Sequence, residues 1–164
     1  MSNKLFLYKV DPEYLSYLHN VDNRVSEKFN GRPFVGVLAV VNDKQYVLPL
    51  TSQTTEKRIA KGKKKRPSVF TTFIKDQQKN EIANILHNNM VPVMPQSLTK
   101  ISIDSHKDTY IMNEIRYIRK FNEEIVTKAK KVYERRLANY NDFYTNYCCD
   151  FAKLEQAMHD YYSS

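Results

Sequence analysis

Glycine is scarce in this 164-residue chain, with three in all, and none falls in a GxxxxGK[ST] or GxGxxG pattern. Loops that cradle nucleotide phosphates with close-approaching backbone are therefore not expected. The four histidines, His19, His87, His106 and His159, show neither HExxH spacing nor a partnership with cysteine, so no metal site is expected. No Gly-x-Ser-x-Gly elbow occurs. Only two cysteines are present, Cys148 and Cys149, and neighbours in sequence make a poor staple and an incomplete ligand set. Both read as small buried side chains in a reducing compartment. No apolar run reaches the roughly 18 residues of a membrane span, and residues 1–6 lack the apolar core of a signal peptide, so a cytoplasmic, membrane-free protein is expected.

What the chain does have is aromatic and basic. Twelve tyrosines and eight phenylalanines, within 41% hydrophobic residues, supply enough for one packed domain over 1–164. The net charge is +8, and the decapeptide Lys57–Arg66 alone carries seven cations (Lys57, Arg58, Lys61, Lys63, Lys64, Lys65, Arg66) and no acid. So local an excess points to a polyanion-facing surface more than to general solubility charge.

That basic run follows the most structured stretch of the sequence. Val35–Val41 is apolar at every position save Gly36, and Gln45–Ser52 is largely apolar, with Asn42-Asp43-Lys44 between them. The pattern reads as a β-hairpin whose first strand is covered on both faces. Arg32 then stands at the start of a buried strand, and Thr51 and Ser52 at the end of its neighbour. A cation, two hydroxyls and a basic loop (53–66, inserted between core strands) converge on one sheet edge, with Lys28 in the charged segment just before it.

Around this hairpin the chain reads as follows. Leu5–Val10 suggests a first strand. Asp11 is a helix N-cap with Pro12 at the first position, and Tyr14, Tyr17, Leu18 and Val21 share one side of the helix. Val69–Ile74 is a further core strand, and Glu81–His87 is strand or short helix. Asn88-Asn89 is a turn, and the prolines of Met90–Pro95 confine that strand to an edge. Ser105-x-x-Asp108 resembles a capping box, followed by an apolar stripe through Ile111, Ile115, Ile118 and Phe121. A second stripe runs through Ile125, Ala129, Val132, Tyr133 and Leu137. Residues 139–146 read as loop, and Phe151, Leu154, Met158 and Tyr161 as a closing helix. Strands first and helices afterwards predict an α+β fold with an antiparallel sheet.

Arg32-Pro33-Phe34-Val35-Gly36-Val37, followed by Tyr46-Val47-Leu48-Pro49-Leu50-Thr51-Ser52, resembles the ToxN/AbiQ family, the endoribonuclease toxins of type III toxin–antitoxin systems. The likeness extends through Leu7-Tyr8-Lys9-Val10, Tyr14-Leu15-x-Tyr17-Leu18 with Val21-Asp22, Met90-Val91-Pro92-Val93, Tyr117-Ile118 and Phe151-x-x-Leu154-Glu155. It implies a small twisted antiparallel sheet core flanked by helices, a Kid/MazF-like toxin fold. The implied activity is cofactor-free, metal-independent, sequence-specific cleavage of RNA to 2′,3′-cyclic phosphate and 5′-hydroxyl ends. The implied partners are substrate mRNA and an RNA antitoxin of pseudoknot repeats, which the toxin itself processes and assembles with in a hetero-oligomer. Growth arrest in phage abortive infection would be the outcome.

On the same resemblance, the catalytic positions are Arg32, Thr51, Ser52 and Tyr14. The family lysine, two residues after the serine, is replaced here by Thr54. Either Lys57 takes its role across an insertion or another cation of the run does. Arg32 would grip a dianionic phosphorane, Thr51 and Ser52 would donate hydrogen bonds to it, Lys57 would act as acid or base, and Tyr14 would orient a ribose or stack a base. Lys28, Arg58, Lys61, Lys63, Lys64, Lys65 and Arg66 would track RNA phosphates. A non-catalytic RNA-binding protein and a toxin neutralised by a protein antitoxin are the alternatives.

Overall fold

The computed structural model describes residues 7–26, 34–102 and 108–163. The elements run β1 (Leu7–Val10), α1 (Pro12–Val21), β2 (Val35–Val41), β3 (Lys44–Thr51), α2 (Thr55–Ala60), β4 (Thr71–Lys75), β5 (Glu81–Leu86), β6 (Val91–Pro92), β7 (Leu98–Lys100), α3 (Thr109–Lys120), α4 (Asn122–Leu137), α5 (Asp142–Tyr147) and α6 (Phe151–Ser163). The sheet order is β4-β5-β3-β2-β1-β7, with β6 also on β3. Every pairing is antiparallel, as the segregation of strands and helices predicts.

The hairpin forms as its sequence dictates. Asn42 and Asp43 both take positive φ, 50° and 64°, which is the backbone of the two-residue turn that matches strand twist. Pairing runs from Val41↔Lys44 to Gly36↔Pro49. At Gly36 an added Cβ would lie 2.3 Å from the Leu48 carbonyl oxygen, so only glycine lets the strands approach this closely. The far edge of β3 has two partners in turn: Tyr46 and Val47 pair with β6, and Leu50 and Thr51 with β5. Pro49 falls in the gap between them. The β3 end is thereby drawn towards β5.

Helices cover the sheet. Asp11 caps α1 by accepting from the Glu13 backbone N–H at 3.3 Å, with Pro12 at the first position. α1 and α6 pack together, α6 also covers β6, α4 lies on β2 and α3 on β4. The core they enclose includes Leu15, Leu18, Tyr46, Val47, Leu48, Ile85, Ile118, Ile125 and Phe151. Cys148 and Cys149 are free thiols buried within it.

Several expectations are corrected. The basic run does not remain loop throughout, because Thr55–Ala60 is helical. Residues 139–146 are not all loop: Asn141 caps α5 by accepting from the Tyr144 backbone N–H. The helix foreseen from Ser105 begins after Asp108, three residues later, and Ser105 lies outside the described residues. Leu137 is 43% exposed, and the buried member of that turn is Arg136. Its guanidinium bonds the Cys148 carbonyl and Asn139 and faces the Asp150 carboxylate at 3.8 Å. Glu81–Leu86 resolves as a strand, with His87 opening a one-turn 3-10 helix.

Candidate nucleic-acid interface

At the end of β3 the chain turns from sheet to helix within three residues. Thr51 Oγ1 accepts from the Gln53 N–H at 3.1 Å, and the Ser52 carbonyl accepts from the Thr54 N–H at 2.9 Å. Thr54, buried, then caps α2 by accepting from the Lys57 N–H. The helix stops at Gly62, whose φ of 77° is the left-handed conformation glycine adopts without cost. The Gly62 and Lys63 N–H groups bond back to the Ile59 and Arg58 carbonyls, a paired C-terminal cap.

This short helix turns cations back towards the hydroxyl pair. Lys57 and Lys61 are one turn apart on the same side. Lys57 Nζ donates to the Ser52 carbonyl oxygen at 3.1 Å, and Lys61 Nζ to Gln53 Oε1 at 3.0 Å. Arg58 Nε bonds the Lys64 carbonyl at 2.9 Å, so the second half of the run is tied to the helix. Thr51 and Ser52 are both half-buried at the surface, and among the described residues the Ser52 hydroxyl makes no hydrogen bond.

Beneath α2 lies a polar network on β5. Glu81 accepts from the Thr55 N–H at 2.6 Å and the Thr55 hydroxyl at 2.8 Å, fastening the first turn of α2 with a carboxylate at the favourable end of the helix. Asn84, fully buried, donates to Glu81 Oε2 at 2.8 Å and accepts from Arg66 Nε at 3.2 Å. Burial opposes the charged form of Glu81, yet bonds from Asn84 and Thr55, with Lys65 nearby, hold its carboxyl below the usual range. Burial, with Arg58 beside it, pushes Arg66 down to about 10. Lys65 sits over the Phe73 ring, 4.9 Å from its centroid.

The structure therefore brings together Thr51, Ser52, Lys57, Arg58, Lys61, Lys64, Lys65 and Arg66 along one edge. Lys63 is exposed on the same segment. Arg32 and Lys28 lie outside the described residues. Tyr14 is placed away from this edge. It is 0% exposed between α1 and α6, its hydroxyl donates to the Pro92 carbonyl at 2.6 Å, and its ring contacts those of Tyr161 and Tyr162. Glu81, Asn84 and Gln53 were missed. Asn84, a polar residue between the apolar Ala83 and Ile85 of β5, carried the signal that could have found them.

Other titratable groups serve the fold. His87 is buried with Nε2 2.7 Å from the Thr72 hydroxyl, and burial, with Lys128 close by, drops its pKa to about 3. Burial raises the Cys148 thiol to about 12 and moves Cys149 the same way. Among the described residues no cluster of three or more His, Cys, Asp or Glu side chains could hold a metal, and no helix is long and apolar enough to cross a membrane.

A family model described as "Toxin ToxN, type III toxin-antitoxin system" matches residues 6–159. Endoribonuclease AbiQ of Lactococcus lactis subsp. lactis is 29% identical over 157 residues, 92% of this chain and 86% of that protein. Among solved structures, AbiQ, described as a lactococcal anti-phage endoribonuclease of a type III toxin–antitoxin system, superposes with a TM-score of 0.86 and 26% identity over 99% of this chain and 100% of that one. A type III system chain, solved in work on selective toxin inhibition by a non-coding RNA pseudoknot, superposes with a TM-score of 0.82 and 25% identity, again over 99% and 100%.

Proposed function

Because the chain belongs to the ToxN family of type III toxin–antitoxin systems, we propose that it is a metal-independent endoribonuclease toxin held in check by a pseudoknot-forming RNA antitoxin. The observation that carries this reading is the gathering of two hydroxyls and a lysine ammonium at the end of β3, flanked by a basic segment that RNA can follow. Its relatives AbiQ and the pseudoknot-inhibited toxin support the assignment of an RNA substrate and an RNA inhibitor. The antiparallel sheet backed by helices supports kinship with the Kid/MazF toxin fold. Action on cytoplasmic mRNA, with growth arrest during phage infection, is the cellular role that follows.

The ribose 2′-hydroxyl gives its proton to solvent water as its oxygen bonds to phosphorus, while the bond to the 5′-oxygen breaks and that oxygen takes a proton from the Lys57 ammonium. The ends are a 2′,3′-cyclic phosphate and a 5′-hydroxyl. Thr51 and Ser52 donate hydrogen bonds to the phosphorane oxygens, each worth about 3 kcal/mol in the transition state. Lys57, held against the Ser52 carbonyl, stands where it can neutralise phosphorane charge and protonate the leaving oxygen. Arg32 supplies a second, bidentate cation in this reading.

The test is incubation of purified protein with total bacterial RNA in EDTA, followed by end analysis. New 5′-hydroxyl and cyclic-phosphate ends support the proposal, and intact RNA refutes it. Tandem short repeats in the DNA directly upstream of the gene would support the RNA antitoxin, whereas a small acidic reading frame there would favour a protein antitoxin.

A further inference from the structure

Arg66 differs from the lysines of its run, and from Arg58, whose Nε bonds only the backbone of the run itself at Lys64, in being anchored on a buried side chain of the sheet. The lysines from Lys61 to Lys65 are exposed, as suits a surface that tracks phosphates loosely. Arg66 is half-buried and its Nε is anchored on the amide oxygen of Asn84. Asn84 is itself fixed, fully buried, with its amide nitrogen on Glu81. The Glu81 carboxylate is already occupied by Thr55 and Asn84, and among the described residues no carboxylate lies within ion-pair distance of Arg66. The guanidinium thus feels the Glu81 charge only at a distance, through Asn84, while burial and the neighbouring Arg58 oppose its own charge, so it has no directly bonded counter-anion.

Position says which anion is missing. Asn84 is the direct cross-strand partner of Thr51 in the β3–β5 pairing, so the two side chains stand on the same face of the sheet. The guanidinium anchored on Asn84 is thus brought beside the hydroxyl edge. Its Nη groups, which make no hydrogen bond among the described residues, form a planar fork that suits two phosphate oxygens.

We infer that Arg66 is a built ligand for the phosphate being cleaved, held in place by Asn84, and so a catalytic residue distinct from the exposed lysines around it. This rests on the ribonuclease reading above. Arg66 transfers no proton; it stabilises charge as the 2′-oxygen bonds to phosphorus and the 5′-oxygen departs. Asn84 is a positioning residue that acts through it. Uncleaved RNA would occupy the fork in the ground state, and the phosphorane would occupy it more tightly.

The experiment pairs cleavage with a readout that needs no activity. Cleavage of total bacterial RNA and affinity for a short RNA with every 2′-oxygen methylated are measured for wild type, Arg66→Lys, Asn84→Ser and Lys64→Ala, each checked for folding by circular dichroism. Arg66→Lys keeps the charge and loses the fork. It is expected to leave affinity within about threefold while cleavage falls about 100-fold, as for loss of a transition-state donor. Asn84→Ser should lower kcat with KM unchanged and move the Arg66 Nε–H resonance, whereas Lys64→Ala should weaken affinity alone. If Arg66→Lys cleaves within threefold of wild type, or loses only affinity as Lys64→Ala does, the inference is wrong. If wild type cleaves nothing, the nuclease reading fails separately. The phosphate site is then judged on the Arg66 Nε–H resonance alone: a shift on adding the methylated RNA upholds it, and no shift overturns it.

Discussion

The Lys57 ammonium lies 3.1 Å from the backbone carbonyl of Ser52, five residues earlier, because the chain turns at Gln53-Thr54 and Lys57 stands on the first turn of the helix Thr55–Ala60 that follows. A cation that sequence distance alone would leave in a loop is thereby set against a hydroxyl-bearing strand end.

Ser52→Ala removes a hydroxyl that makes no hydrogen bond within the described residues. Cleavage is expected to fall about 100-fold or more, with the free energy of unfolding within about 0.5 kcal/mol of wild type. Single-turnover rates together with urea unfolding check both halves. A variant that loses stability and rate together would make Ser52 structural.

Tyr14→Phe deletes a buried donor to the Pro92 carbonyl and leaves the ring in its aromatic nest. A loss of about 1–3 kcal/mol in stability is expected. Cleavage per folded molecule should be unchanged. A large fall in kcat with stability intact would return Tyr14 to the site.

Gly36→Ala forces a methyl to 2.3 Å from the Leu48 carbonyl oxygen, where the neighbour is backbone and cannot swing away. Destabilisation of about 1–3 kcal/mol or more follows from such overpacking. Denaturant unfolding measures it. A neutral result would mean that β2 and β3 lie farther apart than described.

Glu114, on α3 and 5% exposed, has its carboxyl raised to about 7 by burial. The folded protein keeps a proton there that the unfolded chain releases near 4.5, so stability falls as pH rises through this interval and the loss is complete above about pH 7. Glu114→Gln should therefore stabilise the protein by about 2–3 kcal/mol at pH 8 and by almost nothing at pH 4. Melts at the two pH values decide it, and equal effects at both would exclude a raised carboxyl.

Much of this architecture is legible in the residues because it is local. The Asn42-Asp43 turn, the Asp11-Pro12 helix start and the stripe around Ile115 and Ile118 each announce themselves within one element. α5 escapes because Asp142–Tyr147 is only six residues long and is stabilised by Asn141, by Phe143 stacked on Phe70 and by Tyr144 edge-on to the same ring. The burial of Tyr14 is not legible in the sequence, because a tyrosine with its hydroxyl on a backbone carbonyl has the same spacing as one that faces a ligand. The Thr51–Asn84–Arg66 relation is harder still. It joins three separate segments through the switch of β3 from β6 to β5, and Arg66 looks like any other cation of its run until Asn84 is placed beside it.

The most direct measurement is the ratio of 5′-hydroxyl RNA ends produced by wild-type and Ser52→Ala protein in EDTA. Wild type is expected to generate these ends, with 2′,3′-cyclic phosphates on the matching fragments, at about 100 times the rate of the variant or more. Equal production by the two proteins, or ends of another chemistry, would contradict a cleavage centre at the end of β3.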